Sequence, residues 1–122
     1  MVRLRLIFPA LLALTVAATP AAAALSGQIL FVRCKSCHDV KPGAALRIGP
    51  NLAGIMGRKV GVQPGFAYSP AMKAQSFVWD DATMDRWLAR PTTVVPGTRM
   101  AFAGMPNAEE RKTLIAYLKK PQ

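Results

Sequence analysis

The sequence Cys34-Lys35-Ser36-Cys37-His38 places two thiols three residues apart, with an imidazole directly after the second thiol. Residues i and i+3 lie on one face of a helix, so both sulfurs can reach the vinyl groups of one porphyrin. A Cys-x-x-Cys-His sequence is the attachment motif of a c-type haem. The chain has no other cysteine and no other histidine. The motif therefore predicts covalent haem attachment through Cys34 and Cys37, with His38 ligating the iron.

Three other interpretations of this pentapeptide are weaker. A structural zinc site needs four ligands, whereas the cysteines and the histidine supply three. A thioredoxin-like redox pair requires a βαβ pattern around the motif, and the strand signals for one are missing. A simple disulfide suits an exported chain with an even cysteine count, but it leaves the adjacent histidine unexplained.

The N-terminus has the three parts of a secretory signal peptide. Arg3 and Arg5 precede an apolar run over 6–16, and four alanines follow at 21–24. The apolar run is shorter than the ~20 residues that a membrane-spanning helix needs. We therefore expect residues 1–24 to be cleaved after export. Export agrees with haem attachment, which takes place outside the cytoplasm in bacteria, so the expected location is the periplasm.

The mature chain, residues 25–122, is predicted to be one small basic domain. Removing the 24-residue leader from the 122-residue chain leaves 98 residues, and removing Arg3 and Arg5 lowers the net charge from +10 to +8. Such a charge steers encounters with acidic surfaces. The basic residues are spread along the chain without a nucleic-acid motif, so we expect no nucleic-acid partner and at most peripheral membrane contact. An acidic protein is the favoured partner.

Capping signals and apolar periodicity predict an all-α domain with four helices. The first is expected over 26–38, the second from 70 to about 75, the third from about 81 to just before Pro91, and the last from 107 to about 120. The predicted N-caps are Ser26, Ser69, Asp80 or Asp81, and Asn107, the last paired with Glu110 as an Asx capping box. Residues 41–65 are rich in Gly and Pro and are predicted to form an ordered loop.

A second axial ligand decides between electron transfer and an open, reactive iron site. With no second histidine, a methionine thioether is the natural candidate. The mature chain offers Met56, Met72, Met84, Met100 and Met105. Two of these lie in predicted helices, where packing is the expected role. Met100 follows Pro96-Gly97 in a constrained loop, and spacing favours it over Met105 only modestly.

Further short motifs follow one another along the mature chain. They are Gly27 and Phe31, then Gly49-Pro50-Asn51-Leu52, Gly57-Arg58-Lys59, Phe66-Ala67-Tyr68-Ser69, Trp79, residues 96–104 (PGTRMAFAG) and residues 114–118 (LIAYL). With the haem motif, this order resembles the class I c-type cytochromes, the family of mitochondrial cytochrome c and bacterial cytochrome c2. The resemblance covers nearly the whole mature chain. It implies a small cytochrome c fold of about four to five helices around one covalently bound haem c.

The resemblance also implies roles for individual residues. Met100 would be the distal iron ligand opposite His38, and Met105 would pack in the core. The Pro50 carbonyl would bond the ring nitrogen of His38 that faces away from the iron. The remaining cofactor contacts divide between a haem propionate (Arg58, Tyr68, Trp79) and the distal side (Trp87, Thr98, Phe102). A contact between the terminal helices would involve Gly27, Phe31, Leu114 and Tyr117.

Some positions depart from the family pattern. Trp87 stands where mitochondrial members usually have a tyrosine, and Met72 stands where many have an asparagine. Both changes make the expected pocket more apolar, which alters the balance between oxidised and reduced iron. Thr92 and Thr93 replace two lysines near the haem edge. Other basic positions are kept, so docking should remain electrostatic but be weaker or differently aimed.

The implied function is that of a monomeric one-electron carrier rather than an enzyme. Its donor would be a quinol-oxidising complex or a dehydrogenase. Its acceptor would be an oxidase, a reductase or a photosynthetic centre. An alternative with the same haem chemistry is a dedicated haem subunit of a periplasmic oxidoreductase complex.

Overall fold

The computed structural model describes residues 23–122, so the expected leader lies almost entirely outside the described residues. The elements are α1 (Gly27–Phe31), a 3-10 turn (Val32–Cys34), α2 (Pro70–Lys73), α3 (Asp81–Ala89), α4 (Pro91–Val94) and α5 (Ala108–Lys119). Within this range the extended pairing is a single antiparallel bridge between Lys59 and Val78. The predicted all-α class is confirmed. No helix between residues 23 and 122 combines the length and apolar content needed to cross a membrane.

The first helix is shorter than its sequence pattern suggests. Ser26 caps α1 by accepting a hydrogen bond from the Ile29 amide, as predicted. However, α1 ends at Phe31, and the chain tightens into a 3-10 turn, so the prediction of one helix through His38 is wrong. After the 3-10 turn, two backbone carbonyls accept hydrogen bonds from a later loop. The Arg47 guanidinium donates to Lys35 O at 3.0 Å, and an amide of the same loop donates to Cys37 O.

Local capping explains where the other helices begin. Ser69 accepts from the Met72 amide, and Asp80 rather than Asp81 caps α3 by accepting from the Thr83 amide at 2.7 Å. Asn107 caps α5 by accepting from two first-turn amides. The helix after Pro91 was not expected from the sequence, although proline at the first helical position is favourable.

The terminal helices α1 and α5 cross at very close range. A Cβ added to Gly27 would overlap Tyr117 Cβ, so only glycine permits this approach. The Phe31 and Tyr117 rings lie 5.6 Å apart between centroids, and Leu30 and Leu114 are each 1% exposed. The predicted terminal-helix contact is therefore confirmed. It holds the haem motif, which follows α1 directly, against the rest of the core.

The second half of the core forms where α3 meets the loop that precedes α5. The Met105 amide donates to Leu88 O at 2.7 Å, and Met105 itself is 1% exposed. Gly104 has a φ of 110° and passes so close to Ala89 O that a side chain would collide with it. These contacts fasten the end of the loop that carries Met100 onto α3.

Candidate haem-binding site

The two cysteines and the histidine occupy one turn of backbone. The amides of Cys37 and His38 donate to Cys34 O at 3.1 and 2.8 Å. Both cysteines are half-buried free thiols rather than a disulfide. Burial raises the pKa of the Cys34 thiol, with nearby Arg33 opposing the shift, so this sulfur is protonated at neutral pH. The turn thus presents two separate thiols beside an imidazole, as thioether attachment to a porphyrin requires.

The ring of His38 is held in one orientation and one tautomer. Its Nδ1 lies 2.7 Å from the Pro50 carbonyl oxygen. A carbonyl can only accept, so Nδ1 carries the proton and Nε2 keeps a free lone pair. Burial lowers the pKa of His38, which outweighs the opposing effect of the Pro50 bond and favours the neutral ring. A neutral imidazole with a free Nε2 is the form that ligates a metal.

Gly49 belongs to a motif that the sequence analysis named, but its contact with His38 was not predicted. It is buried against the His38 ring, and an added Cβ would lie 2.7 Å from Nδ1 and 2.9 Å from Nε2. The Gly49 amide donates to Cys37 O at 2.8 Å, which binds the loop to the haem motif. The available signal was its position immediately before Pro50. Its lack of a side chain lets the loop lie directly on the histidine.

A buried asparagine organises the long loop that follows the motif. Asn51 is 7% exposed, and its Nδ2 donates to Lys41 O at 2.9 Å. Its Oδ1 accepts from the Ala53 amide at 2.7 Å, and the neighbouring Leu52 amide donates to Asp39 O. The loop over 41–65 is therefore ordered by its own polar network as well as by any cofactor.

The structure brings together the three residues expected near a haem propionate. The guanidinium of half-buried Arg58 donates to Asn51 O and to Gln63 Oε1, both at 3.0 Å. The backbone N–H of Gln63 donates to Tyr68 Oη at 3.2 Å. The backbones of Arg58 and Trp79 pair directly, with the Trp79 amide donating to Arg58 O. Gln63 is a linking residue that sequence reasoning did not identify.

Arg58 is also a cation suited to an anionic group. Its hydrogen-bond acceptors are neutral, and no carboxylate within residues 23–122 lies at ion-pair distance from it. Asn51, Arg58 and Gln63 line a recess of about 350 Å³. A partly buried positive charge without a counter-ion is costly, so a carboxylate placed here is stabilised.

The loop carrying Met100 is shaped by short-range hydrogen bonds. The Met100 amide donates to Thr98 Oγ1 at 3.3 Å, and the Phe102 amide donates to Met100 O at 3.0 Å. Arg99 tethers the loop by donating to Ala67 O at 2.8 Å. Met100 is half-buried, whereas Met105 is 1% exposed in the core. The loop therefore holds a thioether that the core has not enclosed.

Trp87 lies in an aromatic cluster that joins the two expected halves of the site. Its ring packs edge-on against Trp79 with centroids 5.3 Å apart, and Trp79 packs against Phe77 at 4.8 Å. Trp79 and Trp87 are each 6% exposed. Their packing connects the Arg58 region to α3, which carries Trp87.

Apolar side chains around the core are left partly uncovered. Half-buried apolar side chains pack against the core from many segments; they are Cys34, Val40, Leu52, Met56, Ala71, Met72, Phe77, Val94, Met100, Phe102 and Tyr117. A porphyrin face covering several of them would complete their burial. No three His, Cys, Asp or Glu side chains in the described part of the chain could hold a bare metal ion. With the free thiols, the oriented histidine and Arg58, these residues fit a haem.

The comparisons with known proteins agree on a family. The chain is 45% identical to cytochrome c2 of Rhodomicrobium vannielii over 94 residues, which are 77% of this chain and 75% of that one. It is 43% identical to cytochrome c of Sesamum indicum, covering 78% of this chain and 86% of the relative. The chain belongs to the cytochrome c family. Its fold is similar to that of cytochrome cH from Methylobacterium extorquens, with a TM-score of 0.72, 39% identity and coverage of 76% and 93%. No family model matches the chain.

Family membership settles the cofactor and the general activity. Cytochromes c carry one covalent haem c, and the Cys34–Cys37 spacing in this chain is that of their attachment motif. They are electron-transfer proteins rather than enzymes, as the sequence resemblance implied. Haem c is therefore the cofactor of this chain, and moving electrons is its general role.

Proposed function

We propose that this chain is a soluble periplasmic one-electron carrier whose haem iron is held between His38 and Met100, with thioether bonds to Cys34 and Cys37. The observation that carries the proposal is the His38 ring, whose Nδ1 is committed to Pro50 O at 2.7 Å and whose Nε2 is free. When bound, the haem supplies the one-electron Fe(III)/Fe(II) couple. His/Met ligation favours a comparatively high potential.

The surrounding residues hold the two ligands and stabilise the cofactor's acidic edge. Pro50 and Gly49 prevent rotation of the His38 ring, while Thr98 holds the Met100 backbone. Side chains held in this way would need little movement when the haem is oxidised or reduced, which would keep the reorganisation small. Arg58 supports a propionate. Tyr68 is linked to Arg58 through Gln63, and Trp79 is linked to Arg58 by backbone hydrogen bonding. Trp87 and Phe102 keep the distal side apolar.

The expected partners are acidic redox proteins. The net charge of +8 on residues 25–122 accelerates association with them at low salt. A donor would be a quinol-oxidising complex or a dehydrogenase, and an acceptor would be an oxidase, a reductase or a photosynthetic centre. Transient steered contacts weaken as salt shortens the Debye length. Copurification with one complex that survives high salt would instead support a dedicated haem subunit.

Matched methionine variants test the axial ligation. Met100→Leu conserves volume but removes the thioether, so the weak far-red band that reports methionine bonding to iron(III) should disappear and the potential should fall. Met105→Leu is the control, since Met105 lies in the core, and it should keep both properties. The measurements are a visible spectrum and a redox titration of the purified holoprotein. A far-red band that persists in Met100→Leu would show that another group is the ligand.

Export is tested separately from ligation. Osmotic-shock fractionation should place the haem-stained protein in the periplasmic fraction. Its intact mass should equal that of the chain from about residue 25 plus one haem. An intact leader on a membrane-bound product would overturn the proposed location while leaving the haem chemistry unaffected.

A further inference from the structure

Ile48 is the most exposed of the large apolar side chains between residues 23 and 122, at 80% of its surface. A side chain so exposed contributes almost nothing to the core. Its place in the chain is unusual, because it directly precedes Gly49, which packs against the ring of His38. Consecutive Cα atoms lie only about 3.8 Å apart, so Ile48 projects from the surface beside the iron ligand.

The backbone on both sides of Ile48 is fastened to the haem motif. Arg47 donates from its guanidinium to Lys35 O at 3.0 Å, and the Gly49 amide donates to Cys37 O at 2.8 Å. These two bonds hold residues 47–49 against residues 35–37. Ile48 is therefore presented on a constrained loop, and burying it in a partner costs little loop entropy.

Two cationic residues, Arg47 and Lys35, belong to the two segments that meet beside Ile48. Arg47 is 51% exposed and makes only a long contact of 3.8 Å with Asp39, a geometry that contributes little in water. Lys35 has no carboxylate at ion-pair distance within the described residues. Neither positive charge is closely paired with a carboxylate of residues 23–122, so both can attract carboxylates of another molecule.

We infer that Ile48, with Arg47 and Lys35 around it, is the apolar centre of the docking surface for the redox partner. The occupant is an acidic redox protein that presents an apolar recess within a ring of carboxylates. An apolar anchor inside a polar rim is the usual arrangement of a binding hot spot. Contact at Ile48 brings the partner next to the loop that packs on His38. The inference rests on the proposed carrier function and assigns the short-range selectivity of docking to one side chain.

The experiment uses holoprotein on gold electrodes coated with alkanethiols. One surface ends only in carboxylates, and the other mixes carboxylate and methyl ends. Adsorption is measured from the charge under the redox wave at fixed ionic strength. Ile48→Thr should weaken binding to the mixed surface about four- to fifteenfold, the change expected on losing one or two buried methyl or methylene groups. It should change binding to the pure carboxylate surface less than about twofold. Ile48→Val loses only one methylene-sized group, so it should weaken binding to the mixed surface no more than about fourfold.

Val78→Thr is the matched control, since Val78 is also β-branched and exposed (46%) but lies on the bridge with Lys59. It should bind both surfaces like the wild type. If Ile48→Thr and Val78→Thr lost equal amounts of binding to the mixed surface, or if neither lost any, the assignment of Ile48 would be overturned. A normal redox wave in the same experiment would still support the carrier function. A wild-type holoprotein with no reversible wave would overturn the carrier function itself.

Discussion

Replacing Gly49 by alanine should disturb the iron ligand without straining the backbone. The φ of Gly49 lies outside the left-handed region, so alanine can adopt its conformation. The added methyl would overlap the His38 ring, at 2.7 Å from Nδ1 and closer still to Cε1. The ring cannot retreat without stretching the 2.7 Å bond from Nδ1 to Pro50 O. Either the loop or the ligand must therefore shift.

The magnitude follows from the size of this overlap. Overpacking a tightly packed site costs about 1–3 kcal/mol. Each kcal/mol lowers Tm by about 4–8 °C in a domain of this size, so a fall of about 5–20 °C is expected. Since the strain is centred on the imidazole, the absorption of the oxidised haem and its midpoint potential should change as well.

The assay is thermal unfolding of the holoprotein followed by far-UV circular dichroism, together with a visible spectrum and a redox titration. Gly54→Ala is the control, because Gly54 has a φ of 64° but no atom within 4 Å of an added Cβ. It should lose about 1–2 kcal/mol through backbone strain and leave the haem spectrum unchanged. A Gly49→Ala protein with wild-type Tm, spectrum and potential would refute the close packing of Gly49 on the ligand.

Three further substitutions test the scaffold. Gly27→Ala should raise the free energy of unfolding by up to about 1 kcal/mol through helix propensity but lower it by about 1–3 kcal/mol through collision with Tyr117. Guanidinium unfolding should therefore show net destabilisation, and a net gain would contradict the close helix crossing. Asn107→Ala should cost about 1 kcal/mol by removing the cap of α5, measured by the same unfolding, and an unchanged midpoint would show that the cap contributes nothing. Hydrogen bonding from the Thr83 amide holds the pKa of Asp80 below its usual range, so its contribution is complete above about pH 4 and is lost as pH falls through the lowered value. Asp80→Asn should therefore flatten acid unfolding below that pH, and curves that stay parallel would exclude this role.

Features that depend on neighbours in the sequence were predictable. Ser69, Asp80 and Asn107 cap their helices because a side-chain oxygen needs only an amide two or three residues away. The haem motif was recognisable for the same reason, since its three groups lie within five residues. The resemblance extended this prediction to the family, which the comparisons confirm.

The resemblance supplied some contacts between distant segments, such as that of the terminal helices, but others were not predicted. The first helix pattern continues to His38, yet α1 stops at Phe31 and a 3-10 turn follows. Further along, the carbonyls of residues 35 and 37 accept from Arg47 and Gly49, which lie in a later loop. The role of Gln63 between Arg58 and Tyr68 was equally hidden, since a lone glutamine in a loop has no distinctive signal.

The amino-acid sequence by itself determined the covalent chemistry of this cytochrome, the helix caps and the positive charge, because each is set by residue type and short spacing. The tertiary structure alone decided that Gly49 lies on the His38 ring, that no carboxylate of residues 23–122 pairs with Arg58, and that Ile48 is exposed beside the ligand. These three features arise where the loop after the haem motif folds back on the chain. Such contacts join residues ten or more positions apart, or depend on which groups the fold leaves uncovered, and local sequence patterns carry no record of them.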